Sequence, residues 1–380
     1  MSDNWLTDWD NPHDILDCDN CDATYLHPKH QTDMVCPLCG ETSFTEVALN
    51  EDAVLNIQPE YLVSFRQSKE ALQTQLATFR RSLRLPPKDC TVENLTARAM
   101  PFYWPMWLVD NDVTARWQAE VGFDYDAVTY QEQYVEGEWR SRQNRERRVR
   151  WEQRLGVLTR HYADHPAPAL DEHWAILRLM GKYDLGSKRP FNPQHVSDQL
   201  IRLPVRTTAD AWPDVEPRLL KSATIECQAA ASAQHIRHFK WSPQFANANW
   251  TQLLLPMTVT YYLDDTGKKR MVYLQGQTGK LVGQRRASMQ RAFQFSRRAI
   301  VAAGLLGLIT AVLWLVQSFT TVELSNVVDL LLTPIFLIML VAFIPPIGVA
   351  YLNNSHFALE NHEIKSSLHQ SAKAYWEEND

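Results

Sequence analysis

Four cysteines, Cys18, Cys21, Cys36 and Cys39, follow one another as C-x2-C-x14-C-x2-C. Each C-x-x-C turn aims two thiolates at one point, and two such turns complete a closed, tetrahedral zinc site with no open position for catalysis. Gly40 follows the second knuckle, where backbone N–H groups must turn toward the sulfurs and a side chain would interfere. The expected cofactor is one structural Zn2+ in a zinc ribbon. A redox dithiol would instead show a single such motif in a βαβ setting. His27 and His30 lie between the knuckles, but four thiolates already fill the coordination shell, so both read as loop residues.

No other constellation has the spacing that catalysis needs. His362-Glu363 opens like a zincin helix, but Ser366 stands where the second histidine belongs. Gly279-Lys280 is no phosphate loop, because Leu281 replaces the magnesium-binding Ser or Thr and Leu274 stands at the first Gly. With neither a nucleophile elbow nor a dinucleotide fingerprint, the chain reads as a non-enzyme. Cys90 and Cys227 stand apart from the metal set. Cys227 reads as a small core residue of a helix, and thiol usage of this kind suits a reducing compartment.

Two basic clusters could meet a partner. Pro59 to Leu83 spaces Leu62, Phe65, Leu72, Leu76, Phe79 and Leu83 as one helical face, with Arg80, Arg81 and Arg84 at its end and Pro86-Pro87 as a stop. Those arginines either complement the helix dipole or offer a surface to a partner helix or anionic lipid. Arg140 to Arg154 contains Arg142, Arg145, Arg147, Arg148 and Arg150, alternating with Val149, Trp151 and Leu155. It reads as the wet face of a strand pair, with nucleic acid, phosphate or lipid as the alternative ligands of a basic face. A net charge of -6 argues against a surface built as a whole for nucleic acid and leaves room for a local patch.

The element that must position all of this is a membrane hairpin. Ala299 to Phe319 has no charged residue, and Val327 to Leu352 has only Asp329. Each run is long enough for a helix to cross a hydrocarbon core of roughly 30 Å. Pro334, Pro345 and Pro346 in the second run are better tolerated in lipid-embedded helices than in soluble ones. Arg285, Arg286, Arg291, Arg297 and Arg298 precede the first run, whereas the connection Thr320 to Asn326 has no Lys or Arg. The positive-inside rule then predicts an inner-membrane protein with two spans, both termini cytoplasmic, and the lipid bilayer as a partner. The acidic start, Met1 to Asp10, has no apolar stretch, so no signal peptide is expected.

The remaining residues have an ordinary globular composition, 45% hydrophobic and 22% charged over 380 residues. Period-two alternation over Pro105 to Tyr125, around a polar turn, and over Arg147 to Tyr162 predicts a half-exposed antiparallel sheet. Helices are expected over Pro193 to Leu203 and over Asp214 to Ile236, with Asp214 as N-cap. A meander follows through Leu253 to Leu263, Arg270 to Leu274 and Lys280 to Val282. The expected fold class is α+β: an N-terminal zinc ribbon, an antiparallel-sheet cytoplasmic body with helices, and a C-terminal two-helix transmembrane hairpin. The boundaries are a tail at 1–14, the ribbon at 15–49, an amphipathic helix and linker at 50–90, the body at 91–290, the hairpin at 291–355 and a cytoplasmic tail at 356–380. Pro-Met recurs in Trp104-Pro105-Met106 and Leu255-Pro256-Met257, an echo compatible with two related halves.

The order of these pieces resembles a family of bacterial zinc-ribbon membrane proteins, often labelled TFIIB-type zinc ribbon or replication-restart-helicase-like. The residues that carry the resemblance, beside the ribbon and spans, are Tyr103-Trp104-Pro105-Met106-Trp107, Leu254-Leu255-Pro256-Met257 and the stretch Gly276 to Gly283. The family usually has Asn where this chain has Gln275, and an aromatic where it has Thr258. The resemblance covers most of the chain. It implies a role in membrane stress, with an ESCRT-III-like phage-shock protein A or an SPFH-domain protein as partner. The helicase label fails because no ATP-binding loop is present. The expected function is a recruiting or scaffolding platform for a protein partner at the cytoplasmic membrane face. The alternative is a membrane-tethered nucleic-acid binder that uses the ribbon and the arginine-rich face.

Overall fold

The computed structural model describes residues 13–29, 31, 34–47, 58–319 and 325–369. The cysteine-rich segment supplies β1 (His13–Cys18), β2 (Thr24–Pro28) and β3 (Phe44–Glu46). Next come β4 (Pro59–Val63), α1 (Lys69–Ser82) and α2 (Val92–Ala97). Two very long strands, β5 (Met100–Val135) and β6 (Glu138–Ala167), precede α3 (His173–Met180), β7 (Lys188–Pro190), β8 (Leu200–Arg202) and α4 (Thr208–Ala230). Then β9 (His235–Leu263), β10 (Lys269–Gln275) and β11 (Leu281–Gly283) lead into two apolar helices, α5 (Met289–Phe319) and α6 (Ser325–Tyr351), and finally α7 (Phe357–His369).

All described strands join one eleven-stranded sheet, whose main path is β11-β10-β9-β5-β8-β2-β1-β3. The cysteine-rich strands enter it through β2, where Tyr25 and Leu26 pair with Arg202 and Ile201 of β8. At its centre β5 and β9 run antiparallel with Trp104 opposite Leu255, so the two Pro-Met dipeptides lie on adjacent strands. Residues of this central region are almost wholly withdrawn from water, Trp104, Met106, Leu253 and Leu255 among them. Burial of such side chains contributes about 1.5–3 kcal/mol each.

Beyond the centre, β6, β5 and β9 continue as a three-stranded blade. α4 covers one face of it, with Ala211, Val215 and Leu219 packed among Trp107, Val113 and Ala115. β9 supports β5 only as far as Gly122, opposite His235. Past that point, among the described residues, β5 and β6 alone form an arm that runs to a turn at Glu136 and Gly137, whose φ angles are 55° and 88°. From Phe123 to Val135, at about 3.3 Å per residue, the arm is roughly 40 Å long.

Several local expectations are corrected. Pro59 to Val63 is a strand, not the start of the helix ending near Leu83. Its Leu62 and Val63 are buried in different clusters on either side of the sheet, and their spacing from Phe65 mimics a helical stripe by coincidence. The helix itself starts one residue after Ser68, whose side chain accepts from Ala71 N at 3.2 Å. Asp110-Asn111-Asp112 forms a bulge within β5 rather than a turn, which buries Asn111. Thr207, not Asp214, caps α4, with Asp210 completing a capping box. Asp214 lies inside that helix, buried, 2.8 Å from Arg206. Ile236 belongs to β9, and Pro193 to Leu203 is a single 3-10 turn followed by β8. α3 (His173–Met180) is an element that the sequence patterns do not predict.

α5 and α6 are long and apolar enough to cross a membrane, each with a mean hydropathy of 2.5 over its most apolar part. Only 11% and 6% of those parts are buried, with Leu305, Leu308, Phe336 and Ile347 exposed. A core helix of a soluble domain would be covered instead. The junction with the sheet is tightly bonded. Asp265 accepts from Ser288 Oγ at 2.8 Å and from Gln290 N at 2.9 Å, capping α5. From the far end of the hairpin, the Asn353 side chain bonds both Ala287 N and Ala287 O, and the Asn361 side chain bonds both Arg285 N and Arg285 O. Asn353 lies in a π-helical turn, Leu352–His356, between α6 and α7. Residues 1–12, His30, most of the connection at 320–324, and 370–380 lie outside the described residues.

Candidate metal centre and basic arm

The two knuckles are built alike. Cys18 closes β1, and its carbonyl accepts from Cys21 N at 3.3 Å and Asp22 N at 2.9 Å; the Cys36 carbonyl accepts from Gly40 N at 2.9 Å. Each turn ends on a left-handed residue, Asp22 with φ 53° and Gly40 with φ 81°. At Gly40 the demand for glycine is doubled, since a Cβ there would lie 3.0 Å from Met271 Sδ.

These turns bring all four sulfurs within 4.8 Å of one another, with Cys18 to Cys39 at 3.5 Å and Cys21 to Cys36 at 3.6 Å. A tetrahedral ion with metal–sulfur bonds of about 2.3 Å requires sulfur edges of about 3.8 Å. The donor set therefore fits a metal ion. Backbone N–H groups of Asn20, Leu38 and Cys39 point at the sulfurs. The neighbouring Cys21 thiol holds the Cys36 thiol below its usual range, and Tyr25 adds to this through a hydroxyl 3.4 Å from Cys36 Sγ. Burial pushes Cys18 up to about 11, so a cation must displace its proton to bind.

Residues that the cysteine spacing could not name complete the setting. Lys269 Nζ donates to Gly40 O at 2.8 Å and Tyr273 Oη donates to Leu38 O at 3.1 Å, both from β10. Arg202, opposite Tyr25, forms a buried ion pair with Glu172. These partners come from segments far along the chain, and no local pattern marks them. His27, expected in a loop, sits buried in β2 and outside the metal cluster.

The basic residues divide differently from their order in sequence. Arg80 donates to Cys90 O at 3.1 Å, whereas Arg81 and Arg84 are exposed. The apolar stripe of α1 is occupied, with Leu76 and Phe79 packed among Tyr262, Val272 and Leu274. On the arm, strand alternation sends Arg142, Arg148 and Arg150, opposite Gln131, Tyr125 and Phe123, to one face. Arg145 and Arg147, opposite Val128 and Asp126, go to the other. Arg148 pairs with Glu146 at 3.1 Å, and Arg150 and Arg154 share Glu152 at 3.0 and 2.7 Å. Near the tip, the Tyr134 and Trp139 rings meet at 5.3 Å. Compared with known proteins, the chain matches no protein-family model, no curated protein and no solved structure.

Proposed function

We propose that this protein is a membrane-anchored, non-catalytic platform that presents the β5–β6 arm to a protein partner at the cytoplasmic face. The observation that carries this reading is the arm itself, which extends past its last supporting strand with Tyr130, Tyr134 and Trp139 exposed at 67%, 60% and 71%. A two-stranded hairpin is marginal in water unless something packs against it. Exposed tyrosine and tryptophan are the residues that dominate protein interfaces.

The other parts fit the same role. Zinc suits four thiolates, and a four-thiolate site is structural because it leaves no open coordination position. α5 and α6 serve as the two spans, and the arginines before them favour a cytoplasmic body with both termini on that side. The resemblance to zinc-ribbon membrane proteins supports a phage-shock protein A or SPFH-domain partner and a place in membrane stress. A protein is favoured over nucleic acid because the arginines of the arm divide between two faces and several are already paired with glutamates.

The test is to replace Asp126 to Arg147 by Asn-Gly in the full-length chain, which shortens the arm between cross-strand partners. A photo-cross-linker placed at Tyr134 in the intact protein should capture a protein in cells. The shortened chain, with the cross-linker at Tyr125, should keep its metal and its membrane insertion and capture nothing. Capture of nucleic acid, or of nothing by the full-length arm, would overturn the reading.

A further inference from the structure

A groove of about 800 Å3 lies between α3, α4 and the sheet. Met106 and Leu255, from neighbouring strands, form its floor; Trp174 and Leu177 of α3 line one wall and Ile225 of α4 the other. Its size and apolar lining are those of a ligand pocket rather than a packing defect. Ile225 is 58% exposed, so the groove leaves apolar surface uncovered.

The charged groups that line it all have one sign. They are Lys182, Arg218 and Lys221, with no Asp or Glu lining it among the described residues. Two nearby carboxylates, Glu226 and Asp184, have partners of their own, and Glu226 is also close enough to act on His165. Glu226 lies 3.5 Å from Tyr162 Oη and 3.7 Å from Arg160, and Asp184 lies 3.0 Å from Arg66. Arg218 is held in place, stacked 3.6 Å over the Trp174 ring and donating to Pro166 O at 3.1 Å. His165 also lines the groove. Burial and then Arg218 hold its pKa below the usual histidine value, so it adds hydrogen-bonding capacity without charge at neutral pH.

We propose that this groove binds an anionic amphiphile, with an acyl chain over the apolar floor and a carboxylate or phosphate head group against Lys182, Arg218 and Lys221. The pairing of an apolar bed with a one-signed cationic rim selects such a ligand over an uncharged one. The location agrees. α3, one wall of the groove, also packs on α7, the helix that continues from the second apolar helix, through a cluster shared by Ile176, Met180 and Ile364. The groove therefore borders the element that carries the chain to and from the apolar hairpin. This site is separate from the arm and does not depend on what the arm binds.

Native mass spectrometry of the full-length protein, released from a non-ionic detergent, tests this with three probes. Palmitate, lysophosphatidylglycerol and uncharged monopalmitin are titrated in turn. One saturable adduct per chain with either anion, and none with monopalmitin, is expected; the anion that binds more tightly identifies the head group as carboxylate or phosphate. The double variant Lys182→Glu with Lys221→Glu should weaken anion binding at least ten-fold, and Ile225→Trp should block it by filling the groove. Both variants alter exposed side chains, and retained metal content reports that each has folded. Equal binding of monopalmitin, no saturable anion adduct, or undiminished binding in the charge variant would overturn the proposal.

Discussion

The Tyr25 hydroxyl reaches to 3.4 Å from Cys36 Sγ, joining a buried residue of β2 to the second cysteine knuckle. A donor aimed at a ligating sulfur stabilises the thiolate and orients it, and loss of such a partner typically costs 10–100-fold in metal affinity. Tyr25→Phe should therefore retain one zinc per chain but release it to a chromophoric chelator roughly ten times faster or more. Cys36→Ser should leave no tightly held zinc at all. Metal analysis by mass spectrometry checks both, and a wild-type protein without zinc would refute the assignment.

Gly276 tests the packing of the sheet centre. A Cβ at this position would lie 2.6 Å from Pro256 Cβ and 2.9 Å from the Pro256 carbonyl oxygen, which is backbone and cannot swing away. Gly276→Ala is expected to destabilise the protein by about 1–3 kcal/mol. Gly267→Ala meets nothing within 4 Å and pays only for its φ of 80°, about 1–2 kcal/mol. Chemical denaturation should rank the two, and an unaltered midpoint for Gly276→Ala would contradict the contact.

His173 is fully buried between Trp104 and Trp174, its ring 5.2 and 4.5 Å from theirs, and neither ring nitrogen has a hydrogen-bond partner among the described residues. Burial pushes its pKa down from 6.5 to about 3. The unfolded chain thus binds a proton that the folded chain refuses, so this group leaves stability intact above pH 6.5 and erodes it as pH falls from 6.5 toward 3. The slope from this residue is at most about 1.4 kcal/mol per pH unit. His173→Phe should flatten the loss of stability between pH 6.5 and 5. An identical slope in the variant would show that the imidazole is protonated in the folded state.

Membrane topology is open to direct labelling. A cysteine at Ser325, the first residue of α6, should react with an impermeant maleimide added to intact cells. One at Lys268, exposed in the turn between β9 and β10, should react only after permeabilisation. The opposite pattern would reverse the orientation drawn from the arginines before α5.

Features set by neighbouring residues could be read from the sequence by itself. The cysteine spacing named the four sulfurs that the structure gathers, because two residues between ligands already fix a knuckle. The two apolar runs and the meander from Leu253 to Val282 were equally legible, since hydrophobic length and period are local properties. Tertiary structure decided the rest. Pro59 to Val63 became a strand because β9 and β7 offered it partners, and Pro193 to Leu203 yielded a strand beside β5. The length of the arm and the division of its arginines between two faces follow from a register of long-range pairs, in which a shift of one residue would turn every side chain over. Tyr25, Tyr273 and Lys269 meet the cysteine knuckles only because a single sheet brings β2 and β10 to the same core, and strand pairing across such distances leaves no periodic trace in the sequence.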